Sequence, residues 1–180
     1  QETMKIVYQG SPGAYSHLAA KKIYPNYEFI PYNTFEDCFK HCNENEDHKT
    51  IIPVENSIAG RVADIQYLIN KYKLQIYAEH FQEIKHNLMI LKDNKLENVN
   101  SVRSHSQAIS QCQKLINSNK FEPIIAADTA GSAKYISEKK IKSEAAIASE
   151  LAAKIYDLKI VKENIEDNHS NVTRFLIMGK

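Results

Sequence analysis

No stretch of the 180 residues approaches the ~18 consecutive apolar positions that a membrane span requires. The N-terminus lacks the apolar h-region of a secretory signal. Neither sign of charge dominates, with 23 Lys+Arg against 22 Asp+Glu. Phosphate-backbone affinity comes from concentrated positive charge, so neither nucleic acid nor a membrane is expected as a partner. Cysteine is scarce: Cys38, Cys42 and Cys112. An odd count without a signal peptide points to reduced thiols and a cytoplasmic location. Only 5 Gly and 5 Pro leave no room for long flexible linkers. Internal repeats, low-complexity tracts, a G-x-G-x-x-G dinucleotide fingerprint, a phosphate-loop Gly-Lys-Ser/Thr and a G-x-S-x-G nucleophile elbow are all missing.

What is present suits a globular α/β protein. Hydrophobic residues make up 43% of the chain, which excludes a disordered one. The length fits one domain or two small lobes and buries most of the surface without disulfides or metals. Met4-Lys5-Ile6-Val7-Tyr8 reads as a native start, so Gln1-Glu2-Thr3 is expected to be a cloning remnant. The chain stops two residues after the apolar run Phe175-Leu176-Ile177-Met178, as a chain trimmed at a domain boundary would.

Short apolar runs alternate with segments of helical period. Strands are expected at 5–8, 27–31, 51–54, 74–77, 87–91, 99–103, 123–127, 145–148, 158–161 and 173–178, with Pro53 cutting its strand short. Tyr15, Leu18, Ala19 and Ile23 fall at helical spacing, as do Val62, Ile65, Leu68, Ile69 and Tyr72. Thr34, Asp128 and Ser149 read as N-caps, Thr34 with an acidic residue three positions on. Another helix starts at Ser104-His105-Ser106, with Ala108, Ile109, Cys112, Leu115 and Ile116 inward. In open α/β sheets ligands sit beyond the carboxyl ends of strands, against helix N-termini. A small anion held by the turns at 10–16, 55–60, 104–107, 128–130 and 171–175 is therefore the expected ligand.

Each chemical candidate has an ordinary alternative. Gly10-Ser11-Pro12-Gly13-Ala14-Tyr15-Ser16 could cradle an anion, or be a plain strand-to-helix turn. Glu55-Asn56-Ser57-Ile58-Ala59-Gly60 could bond a polyfunctional substrate, or form a turn in which Asn56 and Ser57 bond their own backbone. Ser104-His105-Ser106-Gln107 lacks an evident orienting Asp, which favours hydrogen-bond donors at a helix start over a nucleophilic triad. Cys38, His41 and Cys42 share about one helical turn but have no second ligand pair, so a packed helix face is favoured over zinc and no metal is expected. In Asn171-Val172-Thr173-Arg174-Phe175, Arg174 could grip a carboxylate and Thr173 could donate to a leaving group, or the Arg could be solvated at a strand edge.

Taken together and in this order, these segments resemble the catalytic domain of prephenate dehydratases. The resemblance is carried by Tyr8 to Ser16, Pro53-Val54 with the 55–60 segment, Ser104-His105-Ser106-Gln107-Ala108 with Gln111-Cys112, Asp128-Thr129-Ala130, and residues 171–175. It spans nearly everything from Met4 to Gly179. Two departures are visible: the family often has Pro where Ser106 stands and Thr-Phe where Ala14-Tyr15 stand.

The resemblance implies two α/β lobes like those of type 2 periplasmic binding proteins, with a ligand cleft between them. Residues 4–77 and 166–180 would form the first lobe, and 78–165 the second. It implies a carbon–oxygen lyase of phenylalanine biosynthesis that converts prephenate to phenylpyruvate, CO2 and water. Aromatisation supplies the driving force, so no cofactor is expected. Thr173 would be the catalytic donor to the departing hydroxide. Arg174 would orient a carboxylate, Asn56, Ser57, Ser104, Gln111 and Thr129 would bond the remaining oxygens, and Phe175 would help form an apolar wall. A homodimer is the expected assembly. Phenylalanine is an expected effector only if a regulatory ACT domain accompanies this one in the full-length protein. Two alternatives stand beside this reading: arogenate as substrate, and a two-lobed anion-binding module without turnover.

Overall fold

The structure, a computed structural model, describes residues 4–62 and 65–180; the expected cloning remnant at 1–3 lies outside the described residues. The chain divides into two compact units, residues 4–11, 15–84 and 170–180, and residues 12–14 and 85–169.

The first unit begins β1 (Lys5–Gln9), α1 (Tyr15–Ile23), β2 (Glu28–Tyr32), α2 (Phe35–Glu44), β3 (Lys49–Asn56), β4 (Gly60–Arg61), α3 (Gln66–Tyr72) and β5 (Gln75–Glu83). The Thr34 hydroxyl accepts the Asp37 N–H at 3.1 Å and so starts α2, as its sequence predicts. Pro53 does not shorten β3. The strand continues to Asn56, because the register against its antiparallel neighbour shifts beside Pro53, leaving Val54 as the extra residue, while β1 pairs with β3 only at Lys49 and Thr50. A proline at such a bulge gives up no ladder hydrogen bond.

The second unit holds β6 (Asn87–Leu91), β7 (Ser101–His105), α4 (Ser106–Ser110), α5 (Gln113–Ser118), β8 (Glu122–Ala126), α6 (Thr129–Lys139), β9 (Glu144–Ala148), α7 (Glu150–Ile155) and β10 (Leu158–Lys162). The chain then re-enters the first unit as β11 (Val172–Gly179).

Both sheets are mixed. The first runs β2-β1-β3-β11-β5, with β4 beside β3; the β1 pairings are parallel and β11 is antiparallel to both neighbours. The second runs β10-β6-β9-β7-β8. Alternation sorts its side chains onto two faces. Leu88, Ile90, Ala145 and Ile147 pack with α4 and α5 residues such as Ile109 and Ile116. Met89, Leu91, Ala146 and Ala148 pack with Ala133, Ile136 and Ala152 from α6 and α7. Strands covered on both faces read as unbroken apolar runs, which is why they are plain in the sequence. In the first unit Val7, Ile52, Leu176 and Met178 meet Cys38, Phe39 and Cys42 of α2 and Leu68 of α3.

The boundary expected after residue 77 falls later. β5 runs on to Glu83 and pairs with β11 throughout, so the first unit extends to residue 84, and the return begins at 170 rather than 166. β5 is an edge strand with Ile76, Tyr77 and Phe81 exposed, so it lacks the apolar run that marks a buried strand. Residues 12–14 join the second unit. The Ser149 hydroxyl caps α7 by accepting the Ala152 N–H (3.1 Å) and donates to the Gly13 carbonyl (2.6 Å). Gly13 is required there: its φ is +96°, and an added Cβ would lie 2.7 Å from the Ala152 Cα.

Candidate active site

In the first unit the antiparallel pairing of β3 with β11 sets Asn56 opposite Thr173. Both are withdrawn from solvent, at 2% and 6% exposed. The Asn56 carboxamide is fully used. Its Oδ1 accepts the N–H groups of Ile58 (3.0 Å) and Ala59 (2.9 Å), and its Nδ2 donates to Asn171 Oδ1 (2.7 Å) and Thr173 Oγ1 (2.9 Å). The local-turn reading of Asn56 is thus correct for its oxygen, while its nitrogen holds Thr173. A hydroxyl that accepts one bond still has its own proton to give. Asn56 therefore sets Thr173 up as a donor. The sequence reading had it bond a substrate oxygen directly; here both of its amide atoms are engaged within the unit.

Ser57 is exposed, yet its hydroxyl donates to the Ser170 carbonyl (3.0 Å) and accepts the Val172 N–H (3.0 Å). It ties the start of β11 to the turn after β3. Phe175 leaves the strand on the same face as Thr173 and is a fully buried core side chain.

Arg174 is the exception. Consecutive strand residues leave opposite faces, so Arg174 points away from the Thr173 side. Its Nε donates to Glu79 Oε2 at 2.6 Å, with both side chains about two-fifths exposed. It lines a cavity of about 270 Å3 with Val54, Glu55, Arg61, Ile65 and Leu176. Arg174 was expected to orient a carboxylate; within this unit the carboxylate its guanidinium meets is that of Glu79, on the side away from Thr173. The period of two was available in the sequence to show it; the partner Glu79, on β5, was not.

The second unit carries the other expected oxygen-bonding residues. Ser104 is fully buried and its hydroxyl donates to the Ile147 carbonyl at 2.7 Å, so its proton ties β7 to β9. Thr129 is the first residue of α6, whose cap is Asp128 accepting the Gly131 N–H; the Ser132 hydroxyl donates to the Asp128 carbonyl at 2.8 Å. His105 Nδ1 accepts the Gln107 N–H (3.0 Å) and caps α4, which is a use other than general base. Gln111 is 7% exposed and its Oε1 lies 2.8 Å from His86 Nε2. His86, which pattern reading missed, is 3% exposed; burial pushes its pKa below the ordinary histidine value against the opposing pull of Gln111 and Glu166. A single histidine between Lys85 and Asn87 has no periodicity to betray it.

The Cys38, His41 and Cys42 group does not converge. Both thiols sit in the core of the first unit and burial pushes each up to about 12. His41 turns instead to the Tyr32 hydroxyl and to His48, 2.8 Å from each. Among the described residues no group of three or more His, Cys, Asp or Glu is placed to hold a metal ion, and no helix is long and apolar enough to cross a membrane.

Known proteins are similar to this chain. Residues 6–180 match the family described as prephenate dehydratase. Arogenate dehydratase 1 of Petunia hybrida is 38% identical over 180 residues, covering 99% of this chain and 42% of the relative. A bifunctional N-acyl-homoserine lactone acylase/prephenate dehydratase of Komagataeibacter europaeus is 35% identical over 175 residues, covering 97% of this chain and 62% of the relative. The crystal structure of prephenate dehydratase in complex with L-Phe from Arthrobacter aurescens superposes with a TM-score of 0.88 at 24% identity, covering 98% of this chain and 60% of the other, and shares the fold. The chain spans about half the length of the curated relatives it matches. With the two mixed α/β sheets in place and the match running from the first strand to the last residue, the chain belongs to the prephenate dehydratase family.

Proposed function

We propose that the chain catalyses the decarboxylating dehydration of prephenate, with Thr173 as the group that hands a proton to the departing ring hydroxyl. The carbon–oxygen bond to that hydroxyl breaks, the ring carboxylate leaves as CO2, and its bonding electron pair enters the ring. The protonated hydroxyl leaves as water, a solvent proton restores the Thr173 hydroxyl, and phenylpyruvate remains. Aromatisation drives the reaction, and the enzyme's task is placement and one proton.

The observation that carries this reading is the 2.9 Å bond from Asn56 Nδ2 to Thr173 Oγ1 in a dry part of the sheet. It fixes the hydroxyl as acceptor on one side and donor on the other before any substrate arrives. Positioned general acid catalysis contributes about 10²–10⁴-fold. The position of Arg174 fits the same chemistry. A tight ion pair to the departing carboxylate would stabilise the ground state and oppose its loss as neutral CO2.

Arogenate is the second reading, favoured by the name of the Petunia relative. It differs from prephenate only in carrying an amino group in place of the keto oxygen. Incubation with each substrate decides: prephenate gives phenylpyruvate and arogenate gives phenylalanine. Faster phenylpyruvate formation is expected. A larger kcat/KM for arogenate moves the assignment to that substrate, and no product from either refutes the proposal.

A further inference from the structure

The side chain of Gln111 is held by a closed circuit of hydrogen bonds in the second unit. His86 contributes three of them. Its backbone N–H donates to Glu166 Oε1 (2.8 Å), its carbonyl accepts the Ile165 N–H (2.9 Å), and its ring Nε2 lies 2.8 Å from Gln111 Oε1. One residue on from Glu166, the Asp167 N–H donates to the Gln111 carbonyl at 2.7 Å, which closes the circuit. Asp167 also caps α5, its carboxylate accepting the N–H groups of Gln113 (2.9 Å) and Lys114 (3.0 Å). The buried Glu166 is itself fixed by His169 Nδ1 at 2.7 Å.

The main-chain bonds alone would anchor both residues. The ring-to-amide bond does something more: it selects which way the carboxamide faces. A carbonyl oxygen can only accept, so Nε2 must carry the hydrogen. The amide NH2 of Gln111 is then turned away from His86, as a donor.

We infer that His86 is a positioning residue that presents Gln111 as a hydrogen-bond donor to an oxygen of the substrate. The inference rests on the dehydratase reading for the substrate, though not for the geometry. Burial disfavours the imidazolium, the form that would carry a second N–H.

Two measurements test it. The first is the nitrogen-15 spectrum of the His86 ring in the intact chain at pH 8. Protonated Nε2 with bare Nδ1 is expected, and the opposite tautomer overturns the inference whether or not the chain turns over prephenate. The second is a kinetic cycle. His86→Leu removes the ring N–H and should raise KM for prephenate about tenfold, the worth of one positioned hydrogen bond, with kcat within about twofold. Gln111→Leu should do the same, and the double variant should be no worse than Gln111→Leu alone. His86→Gln, which restores an N–H donor of similar reach, should return KM to within about threefold of the parent. An unchanged KM in His86→Leu, additive losses, or no recovery in a folded His86→Gln would overturn it. If the parent chain forms no product from either substrate, the dehydratase reading fails and the tautomer alone decides the geometry.

Discussion

Asn56→Asp separates holding Thr173 in place from leaving its proton available. The exchange is isosteric and keeps the oxygen that accepts Ile58 and Ala59 N–H. The atom that donated to Thr173 Oγ1 at 2.9 Å and to Asn171 Oδ1 at 2.7 Å becomes a carboxylate oxygen. Thr173 can answer only by rotating its O–H onto the new carboxylate. A hydrogen bond to a charged group is worth about 1.5–3 kcal/mol, and that bond must break before the hydroxyl can serve a leaving group. At 1.36 kcal/mol per factor of ten, kcat should fall about 10- to 150-fold. KM should move much less. Burial favours the neutral acid, so part of the loss should be regained as pH falls, when the protonated carboxyl again donates to Thr173. Phenylpyruvate formation followed from pH 8 to pH 5 reads both effects. A kcat equal to the parent's at pH 8, in a folded variant, refutes the view that Asn56 sets the direction of the Thr173 proton.

Four further outcomes follow from the geometry. Thr173→Val should lower kcat by about 10²–10⁴-fold with little change in KM, while Thr173→Ser should keep measurable turnover; normal turnover by the valine variant removes the donor role. Arg174→Lys should leave kcat and KM within about twofold and cost less than about 1 kcal/mol, because its pair with Glu79 is half in water and faces away from Thr173; a KM raised tenfold would place the guanidinium at the substrate after all. Burial, helped by Lys21, lowers the His17 pKa from 6.5 to about 4. The unfolded chain therefore takes up a proton that the folded one refuses, so stability is complete above pH 6.5 and is lost as pH falls toward about 4; Tm measured across that window should drop, and a His17→Gln variant should show a smaller drop, whereas an equal one contradicts the assignment. Ser149→Ala removes both the α7 cap and the donor to the buried Gly13 carbonyl, and should cost about 2–4 kcal/mol in urea unfolding; a loss below about 0.5 kcal/mol would show that water replaces both bonds.

Local chemistry made much of the fold legible. Thr34, Asp128 and Ser149 cap their helices because a short polar side chain bonds the first free N–H groups whatever surrounds it. The strands Asn87–Leu91 and Glu144–Ala148 stand out because both faces are covered and every position after the first is apolar. The continuation of β5 past residue 77 and the passage of β3 through Pro53 were hidden for the converse reason. An exposed edge has no buried face to pattern it, and a proline is tolerated only where a neighbouring strand supplies a bulge.

The candidate site divides along the same line. That Thr173 and Arg174 take opposite sides is written in the chain, since adjacent residues of a strand always do. That Thr173 meets Asn56, 117 positions earlier, is not. It depends on the last strand crossing back to lie between β3 and β5, where backbone hydrogen bonds on both edges fix its register. The sequence determined which side chains can give a proton. Only the tertiary structure decided which hydroxyl has its acceptor side occupied and its proton left to give, because that choice is made by a partner contributed from a distant strand.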